Sequence, residues 1–265
     1  MRRIATKRAA SKFSIRTIGN GLSVRYTGKK TRLTEEYRRK VERHWSEFVK
    51  QGKYFYNGKL FSLSRCMTGR DVEISLDSTD YAHFIYTIHK RSGDKNDCRV
   101  LYVSALLKTQ DGYYIIGIMG KETFAPGKLQ LVGGGIDEEC LKGRKVDLRG
   151  CIEKEIKEEL GLQIEKVSVC RKFGPRYLVS GGAHGFMSIV FTGVIKHEKD
   201  GMVTLFRKHN DRLIIKGRKP ELASLKFIKA DARAVNELIY NHKRQMDDNL
   251  IPAIRADLLA DSIKR

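Results

Sequence analysis

The chain has 265 residues, 41% hydrophobic and 31% charged, with a mean hydropathy of −0.42. This composition reads as a soluble globular protein and excludes the disordered and fibrous classes. Lys and Arg number 52 against 31 Asp and Glu, a net charge of +21 that favours polyanionic partners or phosphorylated ligands.

The longest apolar stretches, such as Leu101–Leu107 and Tyr113–Met119, are too short to cross a bilayer. No secretory apolar segment follows the start. The expectation is a cytoplasmic protein without membrane contact. The five cysteines are scattered, with no CxxC pair and no zinc-like Cys/His spacing, and reduced thiols are expected.

The basic excess is uneven, because ten bases and no acid precede Glu35. Residues 1–12 read as a solvated basic tail or a nucleic-acid-facing arm. Phe13, Ile15 and Thr17 alternate, Gly19-Asn20-Gly21 supplies a turn, and Leu22, Val24 and Tyr26 alternate again, which predicts a hairpin. Thr34 is placed to cap a helix in which Tyr37, Val41, Trp45 and Phe48 form a core-facing stripe. Tyr54–Phe61 suggests a second hairpin, Val72–Leu76 a strand, and Thr79–Lys90 a helix. The polar run Arg91–Asp97 is the linker candidate and separates an α+β extension, 1–97, from a second unit, 98–265.

In that second unit Arg99–Leu107 and Tyr113–Met119 are strands about a tight turn at Asp111-Gly112. Lys128–Val132 runs as a short strand into Gly133-Gly134-Gly135, and a polar, basic stretch follows to Arg149. A helix is expected from Gly150 to Leu160, stopped by Gly161. Ile164–Phe173 and Phe186–Ile195 read as strands joined through a glycine loop at Gly181-Gly182, and Leu225–Lys229 as a last strand. Asp231 and Asp248 are placed to cap two closing helices. The order is mixed α/β and too irregular for a doubly wound sheet.

The chemistry concentrates on the helix after the glycines. Ile152, Ile156 and Leu160 make one stripe, while Glu155, Glu158 and Glu159 share another face at spacings of three and four. Crowded carboxylates raise one another's pKa unless a cation intervenes. A hard divalent ion suits all-oxygen ligands, and Mg²⁺ suits them best when phosphate adds oxygens. Mixed-charge helices are more often plain solvated faces. Here a strand and a triple glycine lead into the helix, and glycines let backbone approach a ligand closely.

Lys128–Asp137, followed by Lys154-Glu155-Ile156-Lys157-Glu158-Glu159-Leu160-Gly161-Leu162, resembles a Nudix box, G-x5-E-x7-R-E-U-x-E-E-x-G-U with U aliphatic. Glu155, Ile156, Glu158, Glu159, Gly161 and Leu162 fall in place, and Gly134 stands at the leading glycine. Six residues are inserted between Gly134 and Glu155, the box arginine is Lys154, and Glu138, Glu139 and Asp147 compete for the upstream glutamate. In the family, that arginine and glutamate brace the loop against the helix.

The resemblance implies a Nudix-like α/β/α sandwich with a mixed sheet over residues 98–265, preceded by the α+β extension. It implies hydrolysis of the diphosphate linkage in a nucleoside diphosphate joined to another moiety, such as a sugar nucleotide or ADP-ribose. Glu155, Glu158 and Glu159, with the Gly133 carbonyl, would hold Mg²⁺ or Mn²⁺. Glu158, Glu159 and Lys154 are the catalytic candidates, and either glutamate can serve as or assist the general base. Gly134 and Gly161 are the structural box glycines. Arg176, Tyr177, His184, Glu221 and Phe124 are candidates for substrate contact. An RNA 5′ end, held through the basic N-terminal region, is the alternative substrate. A weakly catalytic nucleotide-sensing or nucleic-acid-binding module is a third reading. The extension could equally complete a homodimer.

Overall fold

The structure, a computed structural model, describes residues 11–19, 21–50, 56–90, 93–123, 125–166, 168–182 and 184–262. The basic tail at 1–10, Phe124 and most of the Tyr54-Phe55-Tyr56 stretch lie outside them. In chain order the elements are β1 (Ser11–Thr17), β2 (Leu22–Lys30), α1 (Glu35–Lys50), β3 (Lys59–Thr68), β4 (Val72–Asp80), α2 (Tyr81–Lys90), β5 (Leu101–Thr109) and β6 (Tyr113–Met119). Then follow β7 (Leu129–Gln130), β8 (Val132–Gly135), β9 (Leu141–Lys142), β10 (Lys145–Val146), α3 (Leu148–Leu160), β11 (Cys170–Gly182) and β12 (Phe186–Ile195). The chain closes with α4 (Lys199–Ile215), β13 (Leu222–Lys229), α5 (Ala232–His242), a short 3₁₀ turn at Lys243–Gln245, and α6 (Leu250–Ser262).

The larger sheet runs β1-β11-β12-β5-β6-β13, with β8 paired to β5 and β7 to β6. It is mixed, because β12 and β5 are parallel while the other pairs are antiparallel. Alternation along β5 decides which face each residue serves. Leu101, Val103, Ala105 and Leu107 point into one core with Ile152, Ile156 and Leu160 of α3 and Met202 and Phe206 of α4. Leu106, together with Tyr114, Tyr177 and Val190, points into a second core with Val235 and Leu238 of α5 and Leu250, Ala253 and Ile254 of α6. Helices therefore cover both faces, giving the expected α/β/α sandwich.

A second sheet, in the order β3-β4-β2-β10-β9, lays its inner face, including Val24, Phe61, Ile74, Leu76 and Val146, on the α3 side of the first core. Its strands come from both sides of the Arg91–Asp97 run, since β9 and β10 lie within the stretch inserted before α3. α1 and α2 pack on each other through Tyr37, Val41, Ala82 and Tyr86.

Several local expectations change. The hairpin expected across residues 13–26 does not form: β1 pairs with β11 in the large sheet, and β2 pairs with β4 and β10 in the small one. Period-2 alternation marks a strand but not its partner. β3 and β4 form a hairpin that turns at Gly69–Asp71, while the first strand of the hairpin expected over Tyr54–Phe61 lies mostly outside the described residues. β11 starts later than expected and continues through Pro175, which lies beside a register shift in its pairing with β12. α4 was not expected; only Met202 and Phe206 on it are buried, and Gly201 in its first turn weakens the helical signal. Asp231 caps α5 by accepting from the Ala234 N–H, but Asp247 rather than Asp248 accepts from the Asn249 N–H before α6. The thiols are not all free: Cys140 and Cys151 are joined, Cα atoms 5.3 Å apart, because the inserted hairpin folds back on the start of α3. Cys66, Cys98 and Cys170 are free.

One buried acid ties α6 to the large sheet. Asp257, 1% exposed, faces the Lys108 ammonium at 2.9 Å and the Arg176 guanidinium at 2.7 Å, and it accepts from the Tyr114 hydroxyl at 2.9 Å. Removing one member of such a group leaves uncompensated buried charge. Asp257→Ala is expected to lower the unfolding free energy by about 3–5 kcal/mol in urea titrations; a loss below about 1 kcal/mol would show that the network contributes little.

Candidate active site

α3 owes its position to its two ends. The Asp147 side chain accepts from the Gly150 N–H at 3.0 Å and caps the start. Gly161 ends the helix at φ 72°, with its N–H returned to the Lys157 carbonyl. A Cβ on Gly161 would also stand 2.6 Å from the His209 ring. That ring in turn bonds the Glu158 carbonyl through Nε2 at 2.8 Å.

The glycines of β8 allow this helix to approach. Gly133 has φ 145°, and a Cβ there would lie 2.1 Å from the Val103 carbonyl oxygen. A Cβ on Gly134 would lie 2.4 Å from a Glu155 carboxylate oxygen. With no side chains in the way, the acidic face of α3 rests on bare backbone.

Glu159 is 4% exposed. Its Oε2 accepts from the Gly133 N–H at 3.2 Å, while Oε1 is buried with no hydrogen-bond partner among the described residues. An unsatisfied buried carboxylate oxygen is costly and calls for a reason. Burial, with Glu221 and Glu155 nearby, pushes the Glu159 carboxyl well above its ordinary pKa. Burial followed by the charges of Glu221 and Glu158 pushes Glu155 up to about 7. Glu221, just before β13, is raised by burial and by Glu158. Glu158 itself is exposed. Glu221 thus faces the helical acids from a separate segment of the chain.

Lys154 does not point into this cluster. Its ammonium lies 3.1 Å from Asp137 and also bonds Glu139, so it clasps the loop that follows β8. Of the three candidate upstream acids, Glu139 meets Lys154, Glu138 pairs with Lys59 of β3 at 2.8 Å, and Asp147 caps α3. Asp137, which the sequence reading left out, is the second acid on Lys154; its place directly after the glycine strand was the available signal.

The proposed substrate contacts separate. Glu221 joins the carboxylates. Arg176 and Tyr177 lie on the α6 side of the sheet with Asp257, away from α3. His184 stacks on Phe186 with centroids 5.1 Å apart. Among the described residues no three His, Cys, Asp or Glu side chains converge tightly enough to enclose a metal ion. The donor set nonetheless suits Mg²⁺, which keeps several waters and needs only one or two carboxylates when phosphates add oxygens. The partnerless Glu159 oxygen and the mutually repelling carboxylates are groups that a cation would satisfy.

The fold is a mixed α/β sandwich with helices on both faces of the larger sheet. No protein-family model matches the chain, and no curated protein matches it. Solved structures do resemble it. A NUDIX hydrolase from Nitrosomonas europaea is 13% identical over 62% of this chain and 90% of its own, with a TM-score of 0.37. A NUDIX-family hydrolase from Clostridium perfringens is 14% identical over 60% and 96%, with a TM-score of 0.37. The NUDIX domain of Shewanella oneidensis NrtR, solved with ADP ribose, is 14% identical over 61% and 89%, with a TM-score of 0.34. At these levels the chemistry of the site rests on this chain's own residues.

The raised carboxyls fix a pH dependence. Glu155 holds its proton up to about 7 in the folded chain, against an ordinary value of 4.5. Between those values the folded state binds more protons than the unfolded one, so stability falls as pH rises. Without divalent cations, Glu155→Gln is expected to gain on wild type by about 2–3 kcal/mol in urea stability between pH 5 and pH 8. A pH-independent difference would show that Glu155 ionises normally.

Proposed function

We propose that the chain is a divalent-metal-dependent hydrolase of the Nudix type, acting on the diphosphate linkage of a nucleoside diphosphate joined to a second moiety. The observation that carries this reading is Glu159, buried beside Glu155 and Glu221 with one carboxylate oxygen on the Gly133 N–H and the other without a hydrogen-bond partner among the described residues. A fold gains no stability from such an arrangement, and perturbed acids clustered on glycine backbone mark a functional site.

Glu155, Glu158 and Glu159, with the Gly133 carbonyl, would hold Mg²⁺ or Mn²⁺. The ion when bound would neutralise charge on the phosphate oxygens and lower the pKa of a bound water. The chain's own residues do the rest. The glycines keep side chains out of the space over β8, so phosphate can approach the backbone. Lys154 holds the loop through Asp137 and Glu139. Glu158, the exposed acid, would accept a proton from water, and Glu221 would face the same space from outside the box.

The test is release of phosphate or nucleoside monophosphate from UDP-glucose, ADP-ribose, NAD and nucleoside triphosphates, with and without Mg²⁺ or Mn²⁺. Turnover is expected only with metal, and Glu158→Gln and Glu159→Gln are each expected to lower it by about a hundredfold or more. Titration of Mn²⁺ by calorimetry supplies a readout besides activity: affinity is expected to rise from pH 6 to pH 8 as Glu155 loses its proton, and to fall in Glu159→Gln. Wild-type Mn²⁺ affinity in Glu159→Gln, together with no turnover on the panel, would overturn the proposal.

A further inference from the structure

The outer face of the second sheet carries an unusual line of charge. Lys142 of β9 stands opposite Lys145 of β10, Lys145 opposite Arg25 of β2, Arg25 opposite Ser75 of β4, and Ser75 opposite Arg65 of β3. Residues directly opposite one another project to the same face. All four cations are exposed, while their chain neighbours Val146, Val24 and Ile74 are buried on the inner face. At about 4.8 Å between strands, the row spans about 19 Å.

Like charges placed directly opposite are destabilising in a sheet. Little on the protein offsets them. Lys142 pairs with Asp147, and among the described residues the Arg25 side chain donates only to the Ser75 hydroxyl at 3.5 Å. Among the described residues Arg25, Lys145 and Arg65 have no acidic partner within salt-bridge distance. At the β9 end the row meets a cavity of about 460 Å³ lined by Lys142, Lys145, Arg149, Leu148, Ile18 and Phe191. Two of the four cations sit on the hairpin inserted into the box, so the insertion extends the row.

Acids flank the row on the sheet. The rung on one side holds Met67, Glu73 and Ser23. On the other side Asp77 accepts from Thr27. Acids flanking a single line of cations disfavour a broad anionic surface, such as a membrane or a duplex laid flat. They leave room for one strand of phosphates.

We propose that this face binds the sugar–phosphate backbone of a single nucleic-acid strand, laid across the five strands along Arg65, Arg25, Lys145 and Lys142. Binding to phosphates carries little sequence preference and weakens steeply with salt. The face is separate from the carboxylate site, and the inference does not depend on hydrolysis.

The test uses the full chain without divalent cations and a labelled oligouridine of about 20 nucleotides with a 5′ hydroxyl, which offers no diphosphate linkage. Fluorescence anisotropy is measured from about 50 to 200 mM salt. Arg25→Glu with Lys145→Glu is expected to lower affinity at least tenfold and to reduce the slope of log affinity on log salt by about 1.4. Arg25→Gln with Lys145→Gln, which relieves repulsion within the row and so guards against unfolding, is expected to lose affinity in the same direction. The control pair Arg233→Glu with Lys243→Glu, exposed at α5 and the turn after it, makes the same change in net charge and is expected to retain most of the binding. Equal loss in the control pair would mean that only the overall field matters, and would overturn the proposal. So would unchanged RNA affinity in both row variants, or loss of binding to phosphatidylserine vesicles with RNA binding intact.

Discussion

The close approach of α3 to the backbone of β8 is the constraint on which the candidate site depends. A Cβ at Gly133 or Gly134 would collide with the Val103 carbonyl or the Glu155 carboxylate. Because neither glycine has one, Glu159 sinks beside the sheet until a backbone N–H meets its oxygen. That single hydrogen bond does not offset the burial of a carboxylate with two further acids nearby. The difference must come from elsewhere in the fold, and the apolar stripe Ile152, Ile156 and Leu160, all fully buried, is the evident source. The helix is held by one face so that another can stay strained.

The segment between β8 and α3 shows how this helix is steadied through a lysine. Lysine cannot offer the planar fork of arginine. Here Lys154 meets two carboxylates, Asp137 and Glu139, instead of one. The insertion then folds as β9–β10, joins the second sheet through Lys145 and Arg25, and is linked to α3 through Cys140 and Cys151. Lys59 on Glu138 adds another tie from that sheet to the same loop. The extension and the box are therefore one packed structure, sharing the core that contains Val24, Val146 and Ile152.

Local features were legible in the sequence because local physics sets them. Spacings of three and four place Glu155, Glu158 and Glu159 on one side of α3, and the Gly161 stop and the Asp231 cap are where short-range rules put them. Partnership over long distance was not legible. Nothing in the alternation of residues 13–26 says that β1 and β2 belong to different sheets, or that β2 runs parallel to β4. Arg176 and Tyr177 looked available for phosphate and base because their acid, Asp257, lies about 80 positions away and reads as an ordinary helix residue. A charged side chain's role depends on whether the fold supplies its counter-charge, and that information is non-local.

The same point governs the charge of the whole molecule. With +21 overall, the chain attracts polyphosphates from solution. When ionised, the carboxylate site is a local inversion of that field, and acids within a few ångströms of an arriving phosphate outweigh bases beyond the screening length of about 8 Å. An anionic substrate drawn in by the surface would be turned away at the site unless the local sign were reversed. On the proposed reading a divalent cation held by those acids would reverse it. It would also relieve the repulsion that, together with burial, raises the carboxyls of Glu155 and Glu221. On the proposed reading, basic surface and acidic centre are complementary: the first would concentrate phosphate near the protein, and the second would admit it with metal.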